Sequence, residues 1–362
     1  MLLTMKLQLQ GLNKFIHTLY DGPLDIIGDI HGELPALCSL IKSLGYDSDG
    51  NHPDDRRLVF VGDLVDRGLN SIGVVRLVKK LIDNGKAQCI IGNHELNILM
   101  GSRREGNGWF FGSPHGDDQK IFKSVVADSE DRKFVLDFFN SLPIALESDK
   151  LRIVHACWDQ SSIDTLKCIN DADKNIKSVY DDYTNRATDC IKSSGIYEGY
   201  RDEQKKYSKL LRDKKSDIPF LENTAKYDYM FQAMNPIRVI TSGIEAAVDQ
   251  PFYTGGKWRM VDRLAWWDLY QSDIPVVIGH YWRNFKSVDE KDGLFKHIDS
   301  LHWFGCHQNI FCVDYSVGRR YVDRAVNRPH SSKLHALRFP ENILMSEDGD
   351  ILITTTHGIN YE

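Results

Sequence analysis

The chain has 362 residues, 42% of them hydrophobic and 27% charged, with a net charge of −6. That is enough to bury a sizeable core, as one large domain or one domain with a lid, and it lacks the strongly basic balance of a nucleic-acid-binding domain. Seven scattered cysteines, never in a C-x-x-C pair, argue against a disulfide framework or zinc knuckle and for free thiols in a reducing, cytoplasmic compartment.

No run approaches the roughly 18 apolar residues of a membrane span, and the first twenty residues lack the charged start, apolar block and cleavage site of a signal peptide. Residues 1–20 read as an amphipathic lead-in. Leu24 to Ile27 is a short buried strand closed by Gly28, and Leu34, Leu37, Leu40 and Ile41 recur at a helical period. Residues 47–55 are turn material. Leu58 to Val61 is a second buried strand, Ile72 to Leu81 a second helix, and Cys89 to Ile91 a third strand. This alternation predicts parallel strands joined by crossovers, with the connecting loops at the carboxyl ends of neighbouring strands, where open α/β sheets bind ligands. Residues 101–118 read as a loop and 131–142 as an amphipathic helix.

Leu151 to Val154 is a strand delivering His155. From Trp158 to about 235 charges are dense and the buried-strand signature disappears, which predicts a mainly helical cap inserted into a single domain. Ile237 to Ile240 reads as a strand, with a turn at Gly255-Gly256 before Lys257, Trp258, Arg259 and Arg263. Ile274 to Ile278 delivers His280, Ile310 to Val313 ends at Asp314, and 334–339 with 351–355 read as antiparallel closing strands.

Three glycine-bracketed loops carry the chemistry: Gly28-Asp29-Ile30-His31-Gly32, Gly62-Asp63-Leu64-Val65-Asp66-Arg67-Gly68 and Gly92-Asn93-His94-Glu95. Each follows an apolar strand, at a spacing of roughly thirty residues that matches one βαβ unit. Asp29 and His31 can hold one divalent ion; Asn93, His155 and His280 can hold a second; Asp63 is placed to bridge them. Nitrogen and oxygen donors without thiolate suit Mn, Fe, Zn, Ni or Co, among which geometry alone does not choose; two divalent ions are expected, Mn2+ ahead of Fe, Zn, Ni, Co or Mg. Two ions about 3.5–4 Å apart can lower the pKa of a shared water and clamp the oxygens of an in-line displacement at phosphorus. The planar fork of Arg67 matches two phosphoryl oxygens. His94 can protonate a leaving alkoxide, with Asp66 holding its tautomer. Glu95 supports from behind.

These loops resemble the calcineurin-like metallophosphoesterases, and within them the bacterial-type phosphoprotein-phosphatase branch, marked by GD-x-HG, GD-xx-DRG and GNHE, all present here. The likeness resumes at Val154-His155 and Ile278-Gly279-His280, the family's late histidine ligands. It implies an α/β, four-layer sandwich of two β-sheets flanked by helices, and a dinuclear centre bridged by Asp63. It further implies hydrolysis of phosphate monoesters by a metal-bridging hydroxide, as in serine/threonine protein phosphatases. His155-Ala156-Cys157-Trp158 and Asp314-Tyr315-Ser316-Val317-Gly318 depart from the eukaryotic His-Gly-Gly and Ser-Ala-Pro-Asn-Tyr segments. The symmetrical dinucleoside-tetraphosphatase branch carries Ala where Asp66 stands and Asp where Glu95 stands.

Hydrolysis of dinucleoside polyphosphates or of RNA ends fits the same core. A non-enzymatic scaffold on a decayed phosphoesterase fold is the rival from a different class, and such a scaffold would be expected to have lost a ligand. Lys257 and Arg259 are expected to contact substrate. The expected partners are a phosphorylated protein, nucleotide or small ester, with no membrane and no nucleic-acid footprint.

Overall fold

The computed structural model describes residues 13–112, 118–254, 256–285 and 293–355. The chain runs β1 (Ile16–Thr18), β2 (Leu24–Ile27), α1 (Leu34–Leu44), β3 (Arg57–Phe60), α2 (Ser71–Asp83), β4 (Ala87–Cys89), α3 (Asn93–Leu99), α4 (Gly108–Phe111), α5 (Asp118–Phe122), α6 (Ser129–Ser141), β5 (Ala145–Glu147) and β6 (Arg152–Val154). It continues through α7 (Gln160–Lys167), α8 (Ile176–Ser193), α9 (Ile196–Tyr207), α10 (Glu222–Ala233), α11 (Pro236–Ser242), β7 (Glu245–Thr254) and β8 (Lys257–Arg263). It closes with β9 (Val276–Ile278), β10 (Ile310–Cys312), α12 (Arg320–Ala325), β11 (His335–Phe339), β12 (Ile343–Ser346) and β13 (Ile351–Ile353).

Two compact units result, one from residues 1–158 with 267–362 and the other from 159–266. The first is an α/β unit of two mixed sheets flanked by helices. The six-stranded sheet has the order β13-β12-β11-β2-β3-β4, and the five-stranded sheet β1-β5-β6-β9-β10. As the strand–helix alternation predicts, β2, β3 and β4 are parallel neighbours, Ile27 opposite Phe60 and Phe60 opposite Cys89. These strands are short, β2 buried along its whole length and β3 and β4 at all but one position each, as parallel strands inside a sheet are. Leu24, Ile26, Val59, Leu337 and Leu344 of one sheet pack against Leu146, Ile153, Val277 and Phe311 of the other. Each such side chain contributes about 1.5–3 kcal/mol by leaving water. Helices α1 and α2 cover the outer face of the six-stranded sheet. Pro35 stands in the first turn of α1, and Gly45, at φ 97°, ends it in the left-handed conformation.

The second unit comprises α7 to α11 and the antiparallel hairpin β7-β8. Its core gathers Leu211, Ile218, Leu221, Ala225, Met260 and Val261. It extends past 235, the end expected from the charge density, because the hairpin contributes Met260 and Val261 to that core.

Three details depart from the sequence reading. The run 237–240 is helical within α11, since the Asn235 side chain accepts from the Ile237 and Arg238 N–H groups and Pro236 presets the first turn; a short apolar run does not by itself distinguish strand from helix. The strands expected at 334–339 and 351–355 do not pair with each other, because β12 lies between them. Residues 108–111 form a helical turn inside the expected loop. Residues 1–12 of the lead-in and Gly255 of the expected turn lie outside the described residues.

Candidate metal centre

The loops after β2, β3 and β4 leave neighbouring parallel strands at one edge and are tied together by backbone bonds. The Asp63 carbonyl accepts from the Ile30 and His31 N–H groups at 3.0 and 2.9 Å. His31, Asp63, Asp66, Arg67 and His280 all hold left-handed backbone, with φ between 47° and 76°. Outside glycine such a conformation costs of order 1–3 kcal/mol per residue and marks positions held by their surroundings. Two glycines allow the close approach of the loops: a Cβ on Gly92 would strike the Asp63 carboxylate, and one on Gly279 would strike Asp29.

The imidazoles are oriented by backbone carbonyls. His31 Nδ1 lies 3.1 Å from the Val65 oxygen and His155 Nδ1 2.7 Å from the Val61 oxygen. A carbonyl only accepts, so each Nδ1 carries a proton and donates, leaving Nε2 to face the pocket. His155 Nε2 lies 3.3 Å from Asp63 Oδ1 and 3.1 Å from Asn93 Oδ1. His280 Nδ1 lies 2.8 Å from the same Asn93 oxygen. His31 Nε2 is 3.8 Å from Asp63 Oδ2 and 4.0 Å from Asp29 Oδ2. Acceptor atoms converging at these distances repel unless a proton or cation lies between them, which is the donor set that a pair of divalent ions requires.

Two buried groups able to hold a metal ion follow from this packing: His31, Asp63 and His94, and Asp63, His155 and His280. Asp63 belongs to both. The first group holds His94 where the sequence reading placed Asp29. Asp29 nonetheless adjoins it, its carboxylate accepting from the His280 N–H at 3.0 Å. His94 is turned by Asp66, whose Oδ2 lies 2.6 Å from its Nδ1, leaving Nε2 3.8 Å from Asp63 Oδ2.

The electrostatics of the two central acids differ in sign. Burial, then the nearby Asp314 and Asp63 carboxylates, raise Asp29 well above the usual carboxyl range. Burial raises Asp63 as well, but the His155 and His94 imidazoles outweigh it and hold this carboxyl well below that range. Burial and the Arg67 guanidinium keep His31 well below the ordinary imidazole value. Asp63 outweighs the burial of His155 and raises it.

Several functional contacts escaped the sequence reading. The Trp109 indole N–H donates to Asp66 Oδ1 at 2.7 Å, completing a buried Trp109–Asp66–His94 chain. Trp109 was visible only as part of an aromatic cluster in a predicted loop. Glu95 reaches across to the second loop and accepts from the N–H groups of Asp63, Leu64 and Gly92 at 2.8–2.9 Å. Burial and Asp63 push its carboxyl up to about 7. Asp314 accepts from the Trp282 and Ser316 N–H groups at 2.7 and 2.8 Å. The Arg67 guanidinium lies 4.5 Å from the centre of the Trp282 ring, with Nη1 3.2 Å from His31 Nε2. An acid ending an apolar strand is the signal that pointed to Asp314; nothing in the sequence tied Trp282 to Arg67. Lys257 and Arg259 belong to the second unit, on β8, where their charges act on Asp228.

The family model described as calcineurin-like phosphoesterase matches residues 22–225, more than half of the chain. The chain belongs to the calcineurin-like phosphoesterase family. Among curated relatives it is 36% identical over 143 residues to the asymmetrical bis(5'-nucleosyl)-tetraphosphatase PrpE of Halalkalibacterium halodurans, covering 36% of this chain and 56% of that protein. It is 47% identical over 74 residues to PrpE of a Geobacillus species, covering 20% and 30%. It is 31% identical over 147 residues to the symmetrical bis(5'-nucleosyl)-tetraphosphatase of a Marinomonas species, covering 39% and 48%. The match thus spans about half or less of the length of these relatives. The crystal structure of a cold-active protein-tyrosine phosphatase from a psychrophilic Shewanella species superposes with TM-score 0.44 at 14% identity, covering 95% of this chain and 83% of that one. No helix among the described residues is long and apolar enough to cross a membrane.

Proposed function

We propose that the chain is a metal-dependent phosphoesterase that cleaves dinucleoside polyphosphates asymmetrically, a tetraphosphate giving a nucleoside triphosphate and a nucleoside monophosphate. The observation that carries the phosphoesterase reading is Asp63, whose carboxylate lies within 3.3–3.8 Å of the imidazole nitrogens of His31, His94 and His155. The finer reading draws support from the asymmetrical relatives and from Asp66 and Glu95, which stand where the symmetrical branch carries other residues.

Asp29, His31 and Asp63 would hold one divalent ion, and Asp63, Asn93, His155 and His280 the other. When bound, the ions supply an activated water and charge neutralisation at phosphorus. Arg67 stands beside His31 with a fork able to take two phosphoryl oxygens. His94 Nε2 faces the same pocket and is suited to donate a proton to the departing oxygen. Asp66 and Trp109 keep the ring turned for that transfer, and Glu95 holds the backbone on which Asp63 is carried.

A second reading, hydrolysis of phosphate monoesters such as phosphoproteins, is favoured by the same His94–Asp66 pair. An alkoxide leaves poorly and gains most from a positioned acid, whereas a nucleotide phosphate leaves well without one. The test is product analysis with Mn2+ on diadenosine tetraphosphate beside a phosphoserine peptide and p-nitrophenyl phosphate. ATP and AMP in equal amounts are expected. Two ADP, or turnover of the peptide alone, would overturn the asymmetric reading; no turnover of any substrate would overturn the phosphoesterase reading.

A further inference from the structure

The second unit contains a cavity of about 570 Å3, within the roughly 300–1,000 Å3 of small-molecule sites. Tyr200 and Trp258 contribute rings to its lining, Lys209, Arg212 and Lys257 contribute cations, and Asp228 a carboxylate. Both rings are braced. Tyr200 stacks on Tyr227 with centroids 3.9 Å apart and planes 8° from parallel, and Tyr227 stacks on Phe231. The Trp258 indole N–H donates to the Asp213 carbonyl at 3.0 Å, and its ring meets Tyr253 edge-on. The polar edge of Trp258 is therefore engaged by its own unit.

Asp228 is half-buried, and burial raises its carboxyl above the ordinary range against the pull of Lys257 and Arg259. A simple polyanion would meet the three cations but would press like charge on Asp228. An apolar ligand would use the rings and offer no anion to Lys209 and Arg212. A ligand combining a flat ring, an N–H donor and an anionic tail uses the rings, the acid and the cations together.

We propose that this cavity is a site for a purine nucleoside phosphate, its base against Tyr200 and Trp258, its exocyclic amino group on Asp228, and its phosphate on Lys209, Arg212 and Lys257. The site requires neither a metal ion nor hydrolysis, so it stands or falls separately from the catalytic reading.

The test is calorimetric titration of the full chain, stripped of metal by EDTA, with AMP, IMP, adenosine and inorganic tripolyphosphate. AMP is expected to bind with one-to-one stoichiometry. Arg212→Glu and Lys209→Glu, both on exposed side chains, weaken AMP but not adenosine. Tyr200→Leu weakens both by ~10-fold, the lower range of a base–aromatic stack. Asp228→Asn erases the preference for AMP over IMP, which lacks the amino group. Absence of AMP binding at millimolar concentration would overturn the proposal. So would AMP binding unchanged in all four variants, which would locate the nucleotide elsewhere. Tripolyphosphate binding as tight as AMP and indifferent to Tyr200→Leu would reduce the site to a polyanion patch and overturn it equally.

Discussion

The two units are held together differently. In the first, each group of the candidate centre is held by at least one fixed partner: carbonyls orient His31 and His155, Asp66 orients His94, and Glu95 secures three backbone N–H groups. In the second, α9 has no buried residue, its Tyr200 stacks on Tyr227, and the surface carries exposed pairs such as Lys177–Asp181. The proposed chemistry at phosphorus requires fixed geometry, and the first unit supplies it.

The most severe way to break that contrast is at the shared ligand. Asp63→Asn should abolish Mn2+-dependent hydrolysis and Mn2+ binding by calorimetry while the circular dichroism spectrum stays native; full activity would remove Asp63 from the centre. His94→Asn should lower kcat by about 10²–10⁴-fold, the usual worth of a positioned acid. That loss should be larger on a phosphoserine peptide than on p-nitrophenyl phosphate, and equal losses would argue that His94 serves as a ligand only.

A third prediction concerns the stability of the first unit. His335 is buried, stacked on Phe285, and its pKa is lowered by burial from 6.5 to about 4. Lys333 and Arg320 also lower it, while the Lys333 carbonyl and Asp350 act the other way. The neutral ring therefore stabilises the fold fully above pH 6.5. That contribution is lost as pH falls from 6.5 towards 4, because the unfolded chain takes up the proton first. The slope amounts to about 3 kcal/mol over the interval. His335→Phe should flatten the difference between urea midpoints at pH 7 and pH 4.5, and an unchanged slope would exclude His335 as its source.

Trp109→Phe should reduce kcat by about 10–100-fold, as for other groups that orient a reacting side chain through one intermediary. The cost should grow with the pKa of the leaving group. A uniform loss on all substrates would mean that Trp109 acts by packing alone. The smallest effect belongs to the second unit: Lys177→Ala removes an exposed i,i+4 pair with Asp181 and should change stability by less than about 0.5 kcal/mol in urea denaturation. A larger cost would show that this face is packed rather than solvated.

The three loops, the parallel strands bearing them, and the late histidines were legible because each signal is local. An apolar run and an acid or imidazole lie within five residues, bracketed by glycine in the three loops, and the strand itself aims the side chain. The insertion was legible only as a charge-dense region. Its end was misplaced because the hairpin β7-β8 joins it through Met260 and Val261, a contact that no period in the sequence announces. The strand read at 237–240 became α11 because the capping side chain of Asn235 outweighed an ambiguous apolar run.

The sequence by itself determined which acids and imidazoles the strand ends bring together, since residue types at strand ends carry that information within one βαβ repeat. Only the tertiary structure set the two central acids apart, the His155 and His94 imidazoles holding Asp63 below the usual carboxyl range while burial and Asp314 raise Asp29 above it. It alone joined Trp109 to Asp66 across 43 residues and Trp282 to Arg67. The physical reason is that ionisation and orientation depend on the field and packing of groups distant in the chain, which no local pattern encodes.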